Sequence, residues 1–147
     1  VDEAMKEFNE SIRLNPYDAH SYSNLGYAYD EKKEYQSAIK TYKKALTLDP
    51  NSVAIKNNLN VSEEKYYYNL GKKHFLNKEY ELAAQEWNNY LTLKPSDPDV
   101  HNNLAIIYYA LNNYDLAWKH VELAAKYGRP VDKEVIDALR HKSNRYY

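Results

Sequence analysis

Residues 19–50 read AHSYSNLGYAYDEKKEYQSAIKTYKKALTLDP, and this stretch decides the fold. Its first apolar stripe contains Tyr22, Leu25 and Tyr29, and spacings of three and four residues place these side chains on one face of a helix. A charged link follows. A second apolar stripe with helical spacing then ends at Pro50, because proline lacks the N–H donor that would continue the helix. The stretch therefore predicts two helices joined by a tight turn.

The pattern of this stretch returns along the chain at a regular interval. The spacing from Pro16 to Pro50 is the same as the spacing from Ala83 to Ala117. A period of about 34 residues with two helices per unit, which this spacing gives, is the signature of one class of helical repeat. Gly26 lies on the first helix of its unit, where a small side chain lets a neighbouring helix approach closely.

The repeated residues resemble the tetratricopeptide repeat, whose first helix carries an aromatic residue, Leu-Gly and Tyr, and whose second carries Ala, an aromatic residue, Ala and then Pro. One unit matches throughout, at Tyr22, Leu25, Gly26, Tyr29, Ala38, Tyr42, Ala45 and Pro50. The next matches at Tyr67, Leu70, Gly71, Ala83, Trp87 and Pro95, with His74 in place of the tyrosine. A third matches more loosely at His101, Leu104, Ala105, Tyr108, Ala117, Val121 and Ala124, with Arg129 in place of the proline. The chain begins with a second half only, at Ala4, Phe8, Ser11 and Pro16.

The resemblance implies an all-α fold, a right-handed α–α superhelix (a solenoid) of helical hairpins with a C-terminal capping helix. We expect residues 1–147 to form a single array in which Val1 opens the second helix of a truncated repeat, so that the chain is an excised or processed piece of a longer protein. The expected divisions are 1–16 for the half repeat, 17–50, 51–97 and 98–130 for three repeats, and 131–145 for the capping helix.

The repeat at 51–97 carries eleven additional residues in its first helix, because the interval from Pro50 to Pro95 exceeds the interval from Pro16 to Pro50 by eleven positions. Eleven residues are close to three helical turns, so a continuous helix can gain them and keep the same face inward. We predict one helix from Val53 to Leu76. A break near Ser62, whose hydroxyl could cap a new helix, is the alternative.

The added turns have two expected consequences. Lys56, Leu59 and Asn60 would lie over the same stripe as Tyr67 and the Leu-Gly pair that follows it. The two halves of the array would be slipped by about three turns along the long helix, which leaves apolar edges that invite a partner or a second copy of the chain.

Composition narrows the class of protein. Twenty basic residues nearly cancel 21 acidic ones, for a net charge of −1, and the two signs alternate along the chain. A nucleic-acid binder usually concentrates basic charge on one face, so we expect no nucleic-acid ligand. The one basic cluster is interpreted as a solvated helix end and contains Arg140, His141, Lys142 and Arg145. The chain has no cysteine and no apolar run of about 20 residues, so we expect no membrane insertion within it, and the compartment stays open.

No catalytic or metal-binding motif is present. The five histidines include no pair at helical spacing, and there is no phosphate-binding glycine loop or nucleophile elbow. His74 and His101 occupy stripe positions and are interpreted as core residues. The acidic group of Asp30, Glu31 and Glu34 lies at a helix end and link. A solvated link does not provide the dry pocket that acid–base catalysis by carboxylates needs. We expect no enzyme, no metal and no cofactor.

The resemblance also indicates where a partner binds, because the first helices of such repeats line a concave groove. Positions between the packing residues face that groove. They are His20, Ser23, Tyr27 and Asp30 in the first full repeat, Lys65, Tyr68, Lys72 and Phe75 in the next, and Asp99, Asn102, Ile106 and Tyr109 in the last. Phe75 and Ile106 have a core-facing alternative. The tyrosines offer apolar rings with polar tips, which suits recognition.

One use known in the family is disfavoured. Members that bind chaperone C-termini hold the terminal carboxylate with Lys, Asn and Arg. The matching positions carry Ser23, Tyr27, Asn69, Asp99 and Asn103. Only Asn69 agrees, and Asp99 has the wrong sign for a carboxylate ligand.

The function that follows is a non-catalytic scaffold that binds a peptide or partner protein through the concave groove. Two alternatives stay open: a structural module that self-associates, as a homodimer through the slipped edge near the long helix, and an accessory domain of a larger enzyme.

Overall fold

The computed structural model describes residues 1–143, in which there are eight α-helices and no strand. The helices are α1 Asp2–Leu14, α2 Ala19–Glu31, α3 Tyr35–Leu48, α4 Val53–Leu76, α5 Tyr80–Leu93, α6 Pro98–Ala110, α7 Tyr114–Lys126 and α8 Lys133–Ser143. The predicted all-α fold of helical hairpins is confirmed. Arg145 of the basic cluster and the last residues of the predicted segment 131–145 lie outside the described part of the chain.

The chain divides into two units, Val1–Tyr66 and Tyr67–Tyr147, with the boundary inside α4. The division into repeats that we expect from the sequence therefore stays a prediction, and each unit is described by itself below.

Local chemistry starts the helices and turns the chain between them. The side chain of Asp18 caps α2 by accepting hydrogen bonds from the backbone of His20 and Ser21, and Asp97 caps α6 in the same way. The turn inside each hairpin has one residue in the left-handed region, with positive φ at Lys33 (60°), Lys78 (61°) and Asn112 (58°). None of the three is glycine, so each hairpin turn stores some backbone strain.

The first unit packs its helices as sequential neighbours. α1 lies against α2, where the hydroxyls of Ser11 and Ser21 are 2.7 Å apart. α2 lies against α3, and the core between them contains Ala38, Tyr42 and Ala45, each 0% exposed. The beginning of α4 completes this core, because Ile55 is buried in it and Leu59 packs against it.

The second unit has two apolar clusters. The end of α4, α5 and α6 share the first, which is built around Trp87 and Leu104. α6, α7 and α8 share the second, to which Val121 of α7 and Leu139 of α8 both belong. Leu139 is 0% exposed, so α8 covers apolar surface that α6 and α7 would otherwise leave to water.

The long helix predicted from Val53 to Leu76 is present as α4, and no break occurs near Ser62, which lies in mid-helix with a fully buried side chain. The predicted register of its inward stripe is partly wrong. Leu59 packs inward, whereas Lys56 and Asn60 are exposed. The buried positions are Ile55 and Ser62 instead, because the helix turns its apolar face inward and leaves the ammonium group of Lys56 in water.

Each hairpin contains a small residue on its first helix opposite a larger side chain on its second. A Cβ added to Gly26 would lie 2.8 Å from Cε1 of Tyr42, and one added to Gly71 would lie 2.5 Å from Cδ1 of Trp87. The corresponding residue of α6 is Ala105, and the residue at the matching place in α7 is Val121. The smaller valine leaves room for the methyl group that the aromatic rings exclude.

We expect Gly71→Ala to lower the free energy of unfolding by about 1–3 kcal/mol, although alanine favours a helix, because Trp87 is 1% exposed and has no room to move away. Chemical denaturation measures the change. In a Trp87→Val background the same substitution should be tolerated better, since that pair imitates Ala105 and Val121. Gly71→Ala raising stability in the native background would contradict this account.

Candidate functional site

Three of the predicted binding residues lie on one side of α2, and their side chains are exposed or half-buried. His20 is exposed, Ser23 is half-buried and Tyr27 is 59% exposed. Spacings of three and four residues place them on one helix face, which we call the α2 surface. An exposed tyrosine is a large apolar ring that the fold of the unit does not use.

Asp30, the fourth predicted residue of α2, is held by contacts inside the first unit. Its Oδ2 accepts hydrogen bonds from the hydroxyl of Tyr42 at 3.3 Å and from that of Ser62 at 2.7 Å. Burial raises the pKa of the Tyr42 phenol, and the negative charge of Asp30 raises it further. Because the three side chains come from α2, α3 and α4, this carboxylate joins three helices.

Asp30 is half-buried, and part of its carboxylate is shut off from water. Ser62 is 0% exposed, and its hydroxyl also lies 3.0 Å from the carbonyl oxygen of Asn58, so its single hydrogen chooses between two acceptors. The contact with the carboxylate is the shorter one. The other oxygen of Asp30, Oδ1, is buried and has no hydrogen-bond partner among residues 1–143.

The predicted residues of α4 divide between solvent and core. Lys65 is exposed, and its Nζ lies 5.8 Å from the centroid of the Tyr35 ring. Lys72 is also exposed. Tyr68 instead packs against Tyr90, with ring centroids 5.6 Å apart.

Phe75 belongs to the core of the second unit. Its ring lies 5.5 Å from that of Trp87 and 6.1 Å from that of Tyr80. Phe75 lies where the core-facing alternative placed it. Most of its side chain is covered and cannot contact a partner.

On α6, Asp99 forms a salt bridge with Arg129, the residue that stands where the repeat pattern expects proline. The hydrogen bond to Asp99 raises the pKa of the Arg129 guanidinium. Both side chains are about half exposed, so the bridge contributes little to stability. The salt bridge places the guanidinium of Arg129 beside the carboxylate of Asp99, which the sequence analysis treated as an unpaired negative charge.

The remaining predicted residues of α6 are more covered than expected. Asn102 is 8% exposed, and Ile106 and Tyr109 are half-buried. The ring of Tyr109 lies 6.1 Å from that of Tyr114.

A buried histidine pair joins α6 and α7, and sequence reasoning missed it. Nδ1 of His101 lies 2.9 Å from Nδ1 of His120, and Nε2 of His101 lies 3.0 Å from the carbonyl oxygen of Pro95. Because a carbonyl oxygen only accepts, His101 carries its proton on Nε2. With both imidazoles neutral, Nδ1 of His101 therefore accepts a hydrogen bond from Nδ1–H of His120.

Aromatic rings cover both ends of this pair. Tyr127 stacks on His101 at 5.6 Å and Tyr108 stacks on His120 at 5.4 Å. Burial lowers the pKa of His120 to about 4, and the neighbouring His101 and Lys119 lower it as well. His101 is 4% exposed, so its interpretation as a core residue is confirmed. His74 is half-buried, with Nδ1 2.6 Å from Glu79 Oε2.

Hairpins of this geometry, with a small residue against a large one and capped first helices, define a helical-repeat protein. The tetratricopeptide repeat family matches the chain twice, over residues 19–52 and over residues 68–131, together about two thirds of its length. The chain belongs to the tetratricopeptide repeat family. Repeats of this family are typically non-catalytic interaction modules, and the fold supports the role of a protein-interaction scaffold.

Curated relatives match only part of the chain. It is 30% identical over 64 residues to the small glutamine-rich tetratricopeptide repeat-containing protein 2 of Mycosarcoma maydis, which covers 44% of this chain and 18% of that protein. It is 39% identical over 49 residues to cellulose synthase operon protein C of Escherichia coli (strain K12), which covers 33% of this chain and 4% of that protein. The chain therefore spans less than a fifth of the length of either relative.

Among solved structures, the C-terminal tetratricopeptide-repeat domain of a Plasmodium falciparum FK506-binding protein is similar in fold. The TM-score is 0.53 at 18% sequence identity, and the match covers 86% of each chain. Identity at this level shows the fold alone. In the part of the chain that the structure describes, no helix is both long enough and apolar enough to cross a membrane.

We expect Ser62→Ala to lower the free energy of unfolding by about 1–3 kcal/mol, because it removes a fully buried hydroxyl that makes the shorter of the two hydrogen bonds to Oδ2 of Asp30. The matched control is Ser96→Ala in an exposed loop, which should change stability by less than about 0.5 kcal/mol. Equal effects of the two substitutions, measured by urea unfolding, would show that the contact with Asp30 contributes nothing.

The lowered pKa of His120 makes stability depend on pH in a known direction. The unfolded chain binds this proton below pH 6.5 and the folded chain only near pH 4, so stability falls as the pH falls between these values. The loss reaches about 3 kcal/mol if the whole pKa difference is realised.

His120→Gln keeps a donor for His101 but does not titrate, so the stability of this variant should fall less between pH 6.5 and pH 4. Asn24→Gln, at an exposed residue that does not titrate, should leave the pH profile of the parent protein unchanged. Thermal or urea unfolding at several pH values measures both. Parallel profiles for the parent and His120→Gln would rule out the pair as the cause.

Proposed function

We propose that the chain binds a peptide or a segment of a partner protein through the α2 surface, formed by His20, Ser23 and Tyr27. The observation that carries the proposal is the exposure of Tyr27, 59% of whose surface faces solvent in the middle of a helix. A tyrosine ring provides a large contact area at a small cost in side-chain entropy, and its hydroxyl offers a hydrogen bond.

The neighbourhood of Tyr27 supports this role. The hydrogen bonds of Asp30 at the end of α2 fix that helix to α3 and α4, so the α2 surface is presented on a rigid element. Rigid presentation lowers the entropy that binding must offset. Asp30 therefore acts through the shape of the site, and a direct role in binding is not needed.

The predicted binding residues of α6, in the second unit, have a different chemistry. Asp99 and Arg129 form a paired charge, and Ile106 and Tyr109 add half-buried apolar surface. A partner that reaches this part meets both signs of charge. Asp99 and its neighbours therefore do not favour a lone terminal carboxylate, which agrees with the argument against chaperone tails.

The test compares two exposed tyrosines. Immobilised protein captures partners from an extract of the source cells, and the captured proteins are quantified for the parent, Tyr27→Ala and Tyr17→Ala. Tyr17 is 81% exposed in the α1–α2 loop and serves as the control. We expect proteins that Tyr27→Ala loses at least about tenfold, a difference of about 1.4 kcal/mol, and that Tyr17→Ala keeps.

Two results would contradict the proposal. Identical capture by all three proteins would remove Tyr27 from binding. A stable dimer in sedimentation that persists in Tyr27→Ala, with no captured partner, would favour the self-association alternative.

A further inference from the structure

A cavity of about 310 Å³ opens along the seam between α2 and α3 in the first unit. Tyr22, Leu25 and Tyr29 line it from α2, and Lys40 and Lys44 line it from α3. With 3.6 residues per helical turn, these α2 residues lie about opposite His20 and Tyr27. This lysine-rimmed cleft is therefore separate from the α2 surface.

The floor of the cleft is apolar, and Ser37 and Thr41 of α3 add hydroxyl groups to its wall. Leu25 is 6% exposed at the floor. Tyr22 and Tyr29 are half-buried and pack against the core of the unit, so their rings hold the walls in place. The cavity is at the lower end of the ~300–1,000 Å³ range of ligand pockets, which suits one side chain and its flanking backbone better than a large ligand.

The rim of the cleft carries only positive charge. The helix at residues 35–48 contains lysines and no acidic residue. Lys43 is bound to Glu63, with 2.8 Å between Nζ and Oε1. Lys40 and Lys44 form no salt bridge with any residue of 1–143, and Nζ of Lys44 lies 5.9 Å from the centroid of the Tyr22 ring.

Two cations above an apolar floor specify a complementary ligand. We propose that the lysine-rimmed cleft binds a short acidic segment of a partner protein, with one aliphatic side chain on Leu25 and flanking carboxylates at Lys40 and Lys44. The aliphatic group gains from leaving water, and the carboxylates set orientation and partner choice. A nucleic-acid strand fits less well, since its binding needs many phosphate contacts and the cleft has two cations.

The test selects peptides from a displayed library of random dodecapeptides against the full 147-residue protein. We expect enrichment of sequences with an aliphatic residue flanked by Asp or Glu. One enriched peptide is then synthesised. Its affinity should fall at least about tenfold with Lys40→Glu/Lys44→Glu, because attraction becomes repulsion at both rim positions, and less with the neutral Lys40→Gln/Lys44→Gln.

The control is Lys56→Glu/Lys73→Glu, which makes the same change in net charge at two exposed lysines of α4. It should change the affinity by less than about twofold, since the charges lie outside the cleft. All three variants change lysines whose charged ends face water, and melting temperatures check that the fold is kept.

Three outcomes would overturn the proposal. The library returns no acidic sequence with an aliphatic centre, or the reversal at Lys40 and Lys44 leaves the affinity unchanged. The third is that replacing the aliphatic residue of the peptide by serine has no effect, which would indicate general attraction to lysines. Because the cleft and the α2 surface share no residue, the fate of one proposal does not decide the other.

Discussion

The packing of a small residue against a large one inside each hairpin is the constraint on which the rest of the structure depends. Gly26 lies against Tyr42 and Gly71 against Trp87, and in both cases a methyl group would collide with a buried ring. Because the two sides of the contact belong to different helices of one hairpin, a change on one side needs a matching change on the other. Ala105 with Val121 shows that match. Alanine is larger than the glycine of the other two hairpins, and valine is smaller than their aromatic residue.

Sequence reasoning could predict the hairpins and the long helix because both depend on periodicity. Apolar spacing and the position of Pro50 are properties of the sequence alone, and eleven residues close three turns whatever surrounds them. The register of α4 was harder to predict. Aligning α4 to the Leu-Gly pair placed Lys56 inward. In the structure the buried side chain is Ile55, whose apolar surface is stabilised by leaving water. Left-handed residues such as Lys33 carry no glycine signal and could not be predicted.

The candidate site was less predictable than the fold, because spacing places a residue on a helix face without showing what covers that face. Phe75 and Asp30 both fall at groove positions in the repeat pattern, yet one packs on Trp87 and the other is bonded to Ser62. The pair His101 and His120 is the converse case. These residues belong to different helices, and only the folded chain brings their ring nitrogens within hydrogen-bond distance.

Asp30 shows how a polar position can determine function without touching a partner. The partly buried carboxylate of Asp30 is costly unless it is hydrogen-bonded, so the first unit favours arrangements in which the hydroxyls of Tyr42 and Ser62 reach its Oδ2. Sliding α4 by one turn would move Ser62 about 5.4 Å and break a bond of 2.7 Å to Asp30. Apolar contacts, such as that of Leu59, are not directional. They would therefore tolerate a shift of less than one turn at little cost in free energy. The carboxylate therefore fixes the register of α4 against α2 and α3. A fixed register is what keeps α2 rigid enough to present Tyr27 on one side and the floor of the cleft on the other.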